Sequence, residues 1–178
     1  MESKYMMDAN VFITAHRQLY PFDVAPSFWE QLVDKAADKI VIIEKVQNEI
    51  LKGKDLLSDW YSSQSSNFTV LRAPNQEVIE AYRKIINSVN NNERYTQSAK
   101  DEFASIADSW LCAYALAYES TIVTLETYQA GVKNRVKIPN VCKEFDIKYI
   151  DLLQFMREVG IKLWTKVPGT SDCVAYGK

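Results

Sequence analysis

The sequence predicts an α/β fold built on a mostly parallel sheet. Short apolar, often β-branched runs recur along the chain. Stretches with helical periodicity separate them, and neither an internal repeat nor a domain linker interrupts the alternation. Residues 4–7 (KYMM) form a short apolar strand that ends at Asp8. Ser27 opens a helix with Glu30 three residues on, a capping-box spacing, and Phe28, Leu32, Val33 and Ala36 supply its apolar face. Residues 39–43 (KIVII) are almost continuously apolar, the pattern of a strand buried on both faces. Val46, Glu49 and Ile50 follow at helical spacing, a further amphipathic piece covers 55–61, and 62–67 (SSQSSN) read as a polar loop. Residues 68–71 read as another strand or an extended segment. Asn75 then caps a helix carrying Val78, Tyr82, Ile85, Ile86 and Val89, which Asn90, Asn91 and Asn92 end. Residues 98–118 are the strongest helix of the chain, apolar on so much of their surface that a central position with little solvent face is expected. A strand at 121–124 comes next, Pro139 starts a short helix, 147–150 form the last strand, and Asp151 caps the last helix. A tail from 164 onward is rich in Gly, Ser and Thr and is expected to be loose, so one domain spans 1–178 with its core at 4–163.

With 178 residues, 47% of them hydrophobic and 25% charged, the chain is large enough to bury a core without staples. The three cysteines, Cys112, Cys142 and Cys173, are far apart and form no CxxC pair. This argues against a disulfide scaffold or zinc knuckle and for free thiols in a reducing compartment. No stretch reaches the roughly 18 apolar residues of a membrane span, and the N-terminal MESKYMMDANVFI is too short and too polar for a signal peptide. A cytoplasmic protein without membrane contact is expected. The net charge of −2 supplies no global basic field, so a nucleic-acid partner needs a local patch. The single histidine, His16, excludes chemistry that needs two, and no GxSxG elbow accompanies it for a Ser-His-Asp triad.

Sites in open α/β sheets form beyond the carboxyl ends of the strands. That rule picks out Asp8, at the end of the first strand, and Glu126, just past IVT in IVTLE. Asp108 stands among apolar helix residues, and Glu49 lies between an apolar strand and Ile50-Leu51. A buried carboxylate without a partner costs several kcal/mol or takes up a proton. One divalent cation answers for all four acids together. A carboxylate set without histidine or cysteine suits Mg²⁺ or Mn²⁺ rather than zinc. Each acid has a plainer reading when taken singly: Asp8 as a turn cap, Glu49 as a solvated helix residue, Asp108 as half of a buried pair, Glu126 as a loop residue. Asn10 can orient the Asp8 carboxylate, and Thr124 can reach a metal through a water, although both are common local turn residues. His16 reads as a surface or satisfied histidine.

The order of these residues resembles the PIN-like family. MMDANVFI is similar to the family's opening, an apolar strand, then Asp, a small residue, Asn and further apolar residues. Glu49 in EKVQNEILKG resembles the second acid, with Glu44 as its rival. Asp108 in IADSWLCAYALAYESTIVTLE resembles the third acid, heading an Ala-rich helix that leads into a strand with Thr124 and the fourth acid, Glu126. ADSWLCAYA and KIPNVCKEFDIKYIDLLQFMREVGIKL are similar to a narrower PIN-like branch, a domain of unknown function. The resemblance implies a three-layer α/β/α sandwich, a catalytic and metal-binding set of Asp8, Glu49, Asp108 and Glu126, Mg²⁺ or Mn²⁺ as cofactor, and endonucleolytic cleavage of RNA. Many such proteins are toxins held by a small antitoxin. This chain departs from the family in carrying Glu126 within TLE where TxD is usual, and in extra length around 55–100, which can shape a substrate groove, a partner site or a homodimer surface.

An RNA backbone at this site calls for flanking cations. Lys52 and Lys54 follow Glu49, and Lys133, Arg135 and Lys137 follow Glu126, with Arg17 near the first strand's exit. Tyr128 and Trp110 can stack a splayed base, although Trp110 reads first as core. Three functions remain open at this stage: a metal-dependent endoribonuclease of single-stranded RNA, a catalytically idle PIN-like module acting through a protein or RNA partner, and a phosphatase or DNA flap nuclease. The common aspartate-nucleophile phosphatases open on DxDx(T/V), whereas position 10 here is Asn. The acids themselves do not choose between RNA and DNA.

Overall fold

A computed structural model describes residues 4–163. The tail from 164, including Cys173, lies outside the described residues. Five strands, β1 (Tyr5–Met7), β2 (Ile40–Ile43), β3 (Thr69–Leu71), β4 (Thr121–Val123) and β5 (Tyr149–Ile150), form one sheet in the order β3-β2-β1-β4-β5. Every pairing is parallel, with Met6 opposite Val41 on one side and Ile122 on the other. The apolar runs dictate this burial: all of β1 and β2 is buried, which needs cover on both faces.

That cover comes from the helices α1 (Ala9–Thr14), α2 (Pro26–Ala36), α3 (Glu44–Lys52), α4 (Leu56–Gln64), α5 (Gln76–Asn91), α6 (Gln97–Ser105), α7 (Ala107–Ala117), α8 (Ile138–Phe145) and α9 (Leu152–Val159). Parallel neighbours need a crossover, and crossovers are right-handed. The chain steps from β1 out to β3 in one direction and from β4 to β5 in the other, so α1, α3 and α4 pack together on one face and α5, α6, α7 and α8 on the other. The result is the expected three-layer α/β/α sandwich. One face is strongly aromatic: Trp29 packs on Phe22 and Trp60, and Phe12 and Tyr61 close on Phe68. Part of the extra length, 56–64, thus thickens the core.

Several local expectations need correction. Ser27 is not the cap of α2. The helix begins at Pro26, whose missing N–H costs nothing in the first turn, and Ala25 precedes it without a side-chain cap. Residues 62–67 are not a loop, because α4 runs to Gln64 and a 3₁₀ turn covers Ser65–Asn67. The Ser62, Ser63 and Ser65 hydroxyls donate to carbonyls of the preceding turn, at Ser58, Trp60 and Ser62. The single helix expected over 98–118 is two, broken where Ile106 turns extended at φ −94°, ψ 174°. Helix α1 and the π-helical turn Ala15–Leu19 after it were not anticipated. Among the described residues no helix is long and apolar enough to cross a membrane.

Candidate acidic active site

Between β1 and β4 the direction of the chain's crossovers reverses, so the segments leaving these two strands diverge. That divergence opens a crevice at the carboxyl edge of the sheet, where ligands of such folds bind. Asp8 is the first residue beyond β1 and caps α1, its Oδ1 accepting the Asn10 N–H at 3.2 Å. Its Oδ2 accepts the Thr124 hydroxyl, first beyond β4, at 2.8 Å. Thr124 Oγ1 in turn accepts the Glu126 N–H at 3.2 Å, so one hydroxyl ties the two loops together. Glu126 Oε2 accepts the Ile138 N–H at 2.8 Å, where α8 begins. The break at Ile106 puts Asp108 in the first turn of α7, where unsatisfied amides and the helix dipole favour an anion. Glu49 extends from α3 and is itself exposed, and the Ala107 amide faces its carboxylate and favours the charged form.

The electrostatics tie the four acids into one cluster. Asp8 is 2% exposed, and burial pushes its pKa up to about 6, tempered by the bonds from Thr124 and Asn10 and raised further by Glu126 and Glu49. Asp108 is pushed up to about 8, first by burial and then by Asp8 and Glu126, against the pull of Arg135. Partial desolvation raises Glu49 as well, opposed by the Ala107 amide, Lys52 and Lys45. Arg135 is the cation that ion-pairs with the cluster, 3.3 Å from Glu126 Oε1 and 3.9 Å from Asp108 Oδ2.

Among the described residues no three acidic, histidine or cysteine side chains are already placed to hold a metal ion together. The positions explain this: one Glu126 oxygen is taken by the Ile138 amide and the other by Arg135. The donor chemistry nevertheless fits a hard cation. Mg²⁺ is held through one or two carboxylates and keeps several waters, which Asp8 and Asp108 can provide for without a closed cage. Burial and the neighbouring acids raise both carboxyls, and a cation beside them would favour their charged forms.

The remaining expectations divide. Asn10 acts through its backbone amide, while its side chain is exposed. Thr124 bonds Asp8 directly. Arg135 is 46% exposed and pairs with Glu126 and Asp108 at the edge of the cluster. Lys52 is exposed at the end of α3 within electrostatic reach of Glu49, Lys54 and Lys133 are exposed, and Lys137 is half-buried at the start of α8. Arg17 pairs with Asp55 at 3.1 Å, and His16 packs on Phe22. Glu44 is exposed at the head of α3, and its charge reaches Tyr114. One neighbour was missed: Cys112 and Cys142 are buried free thiols hydrogen-bonded to each other, and Cys112 feels the charges of Asp108 and Asp8. Their helical contexts gave no sign of this, since 29 residues of intervening chain separate α7's thiol from α8's.

Comparison with known proteins supports the architecture. Over 83% of this chain and 97% of the other, the fold is similar to a chain of the structure of VapBC2 from Rickettsia felis bound to a DNA fragment from their promoter, at 15% identity and a TM-score of 0.50. A second similar structure is DNA-bound VapBC from Salmonella typhimurium, at 15% identity, a TM-score of 0.49, and coverage of 84% of this chain and 98% of that one. No curated protein matches the chain. Residues 5–163 match a family described as a domain of unknown function, DUF4411. With its parallel β3-β2-β1-β4-β5 sheet covered on both faces, the chain is an α/β protein that belongs to the DUF4411 family.

Proposed function

We propose that the protein is a metal-dependent endoribonuclease that hydrolyses phosphodiester bonds of single-stranded RNA at the acidic crevice. The observation that carries this reading is the meeting of Asp8, Glu49, Asp108 and Glu126, drawn from β1, α3, α7 and the segment after β4, within one another's electrostatic reach. Asp8 and Asp108 are the residues to hold a Mg²⁺ or Mn²⁺ ion, with Glu49 and Glu126 engaging through water. A bound divalent ion supplies Lewis acidity toward the phosphate and makes the attacking water more acidic. Thr124 fixes the Asp8 carboxylate through its Oδ2, and the Asn10 amide fixes Oδ1, so the lone pairs left free point in a set direction. Arg135 is placed to meet the phosphate once the acids turn to the cation. Lys52, Lys54, Lys133 and Lys137 are the cations proposed to meet the backbone on either side.

Purified protein supplied with Mn²⁺ cleaves single-stranded RNA on this reading, and Asp8→Asn and Asp108→Asn each lower the rate by about a hundredfold or more, as expected when a group holding the metal is lost. Cleavage by both variants at the parent rate refutes the site. By analogy with the VapBC structures, a small antitoxin protein is the proposed partner, and co-purification with the product of a neighbouring reading frame tests it.

A second reading, a catalytically idle module that binds a protein or RNA partner, is favoured by one observation: Arg135 already neutralises part of the cluster, and Glu126 is engaged on both oxygens. Calorimetric titration with Mn²⁺ separates the two, since the idle module takes up no ion at millimolar concentration.

A further inference from the structure

Beside the cluster lies a recess of about 200 Å³ at the carboxyl ends of β2 and β3, lined by Glu44, Lys45, Arg72, Pro74, Trp110 and Tyr114. We propose that this recess is a nucleobase pocket, in which a base of the single-stranded substrate next to the scissile phosphate stacks on Trp110. The inference rests on the nuclease reading and deepens it by saying how the strand is gripped.

The Trp110 indole is half-buried and has two unlike faces. One is covered by Tyr82, whose ring lies nearly parallel at 4.0 Å between centroids and 15° between planes. With that face filled, the Lys45 ammonium 6.0 Å from the centroid stands off the other face, at the outer limit of a cation–π contact. Lysine at that range is loosely held and moves at little cost. A base sliding beneath it extends the Tyr82–Trp110 stack to three rings and meets the ammonium above. The recess is smaller than the roughly 300–1,000 Å³ of pockets for drug-sized ligands, which suits one flat ring system. The Tyr114 hydroxyl is buried without a hydrogen-bond partner, a polar group left over where an incoming base edge supplies donors and acceptors.

Position and charge name the occupant. Lys45 lines the recess and acts electrostatically on Glu49, one turn further along α3, and Trp110 follows Asp108 by two residues. The pocket and the acids are therefore neighbours on the same two helices. Arg72 and Lys45, both exposed, outweigh the exposed Glu44 at the mouth and leave it net positive, which suits the phosphates of a polynucleotide and not an apolar peptide side chain. Tyr128, the other stacking candidate of the sequence, is less available, since Lys143 covers its ring at 4.3 Å.

The test is equilibrium binding of short labelled oligonucleotides by fluorescence anisotropy, with Ca²⁺ in place of Mg²⁺ or Mn²⁺. Single-stranded RNA is compared with an abasic strand of the same length and charge. The parent protein binds the base-bearing strand roughly tenfold more tightly, as one base–aromatic stack provides. Trp110→Leu, checked for folding by circular dichroism, removes most of that preference, and Arg72→Ala weakens both strands equally. Equal affinity of the parent for the two strands overturns the pocket, and so does a preference that survives Trp110→Leu in a folded variant. The strand comparison uses the parent alone and stands whether or not the variant folds. If RNA is still cleaved in Mn²⁺ while the abasic strand binds as well as RNA, the pocket fails and the nuclease reading survives. Absence of both binding and cleavage removes both. A DNA strand in parallel reports whether the sugar is also read.

Discussion

Replacing Asp108 by Asn is expected to stabilise the metal-free protein, against the usual outcome for a buried residue. Asp108 is 6% exposed and its carboxyl is pushed up to about 8 by burial and by Asp8 and Glu126. In the unfolded chain it titrates near 3.8, so between those values the folded state holds the extra proton. Folding stability therefore falls as pH rises from about 4 through about 8 and is constant above both values. One pKa unit corresponds to about 1.36 kcal/mol, which sets a ceiling of about 4 kcal/mol on the penalty at pH 7. Asparagine has nearly the same shape and no charge to desolvate. Allowing for relaxation, about half that ceiling is recovered, and at roughly 2–4 °C per kcal/mol for a chain this size the melting temperature rises by roughly 4–8 °C. The assay is thermal unfolding followed by circular dichroism in EDTA at several pH values from 4 to 8.5. The gain is near zero at pH 4 and grows to its plateau near pH 8. With Mn²⁺ at about a hundred times its dissociation constant, the parent gains roughly 2.7 kcal/mol and the variant far less, so the difference narrows or inverts. A variant less stable than the parent in EDTA at pH 8, or a gain that does not vary with pH, refutes the account of Asp108 as a carboxylate buried for a cation.

Three further outcomes follow from the same geometry. Thr124→Val leaves Asp8 Oδ2 and the Glu126 amide without their partner and costs about 1–3 kcal/mol by denaturant titration. Because the lost bond favours the charged Asp8, the cost is larger above pH 6 than at pH 5, and a flat pH profile contradicts it. Arg135→Gln removes a positive charge that competes for Glu126 and Asp108, and calorimetry should record about tenfold tighter Mn²⁺ binding, with unchanged or weaker binding as the opposing result. Asn140 is buried and clamps the segment after β4, its Oδ1 accepting the Gln129 N–H at 3.2 Å and its Nδ2 donating to the Gln129 carbonyl at 2.8 Å. Asn140→Ala is expected to cost about 2 kcal/mol and to speed amide exchange in residues 125–137, and unaltered exchange there removes the clamp.

The strands were legible because their burial is written in composition: KIVII and TIV contain almost nothing else that a sheet covered on both faces tolerates. The caps Asn75 and Asp151 were legible for a similar local reason, and each accepts the amide three residues on. The break at Ile106 was not, since no glycine or proline marks it and the apolar pattern runs through it; packing of α6 and α7 on α5 decides it. Helix α1 was hidden because its six residues are too few to show a helical period, although the plainer reading of Asp8 as a turn cap points toward the cap it forms. The four acids came from position and from resemblance, and the sheet topology brings them together. The charge of Arg135 is visible in the sequence, and its two acid partners are not. Residues 108, 126 and 135 meet only after β4 has docked beside β1.

That docking order has a consequence for a chain leaving the ribosome. β1 and β2 can pair early, but the other neighbour of β1 is β4, whose Thr121 lies opposite Tyr5, and the hydroxyl that fixes Asp8 lies 116 residues further along. Closing so long a span is the slow part of folding for parallel sheets. Until Thr124 and Glu126 have emerged, Asp8 is a lone acid at the end of an unfinished sheet. The crevice therefore stays unfinished, and any activity it has is withheld from the nascent polypeptide, until the segment that follows β4 has been made and docked.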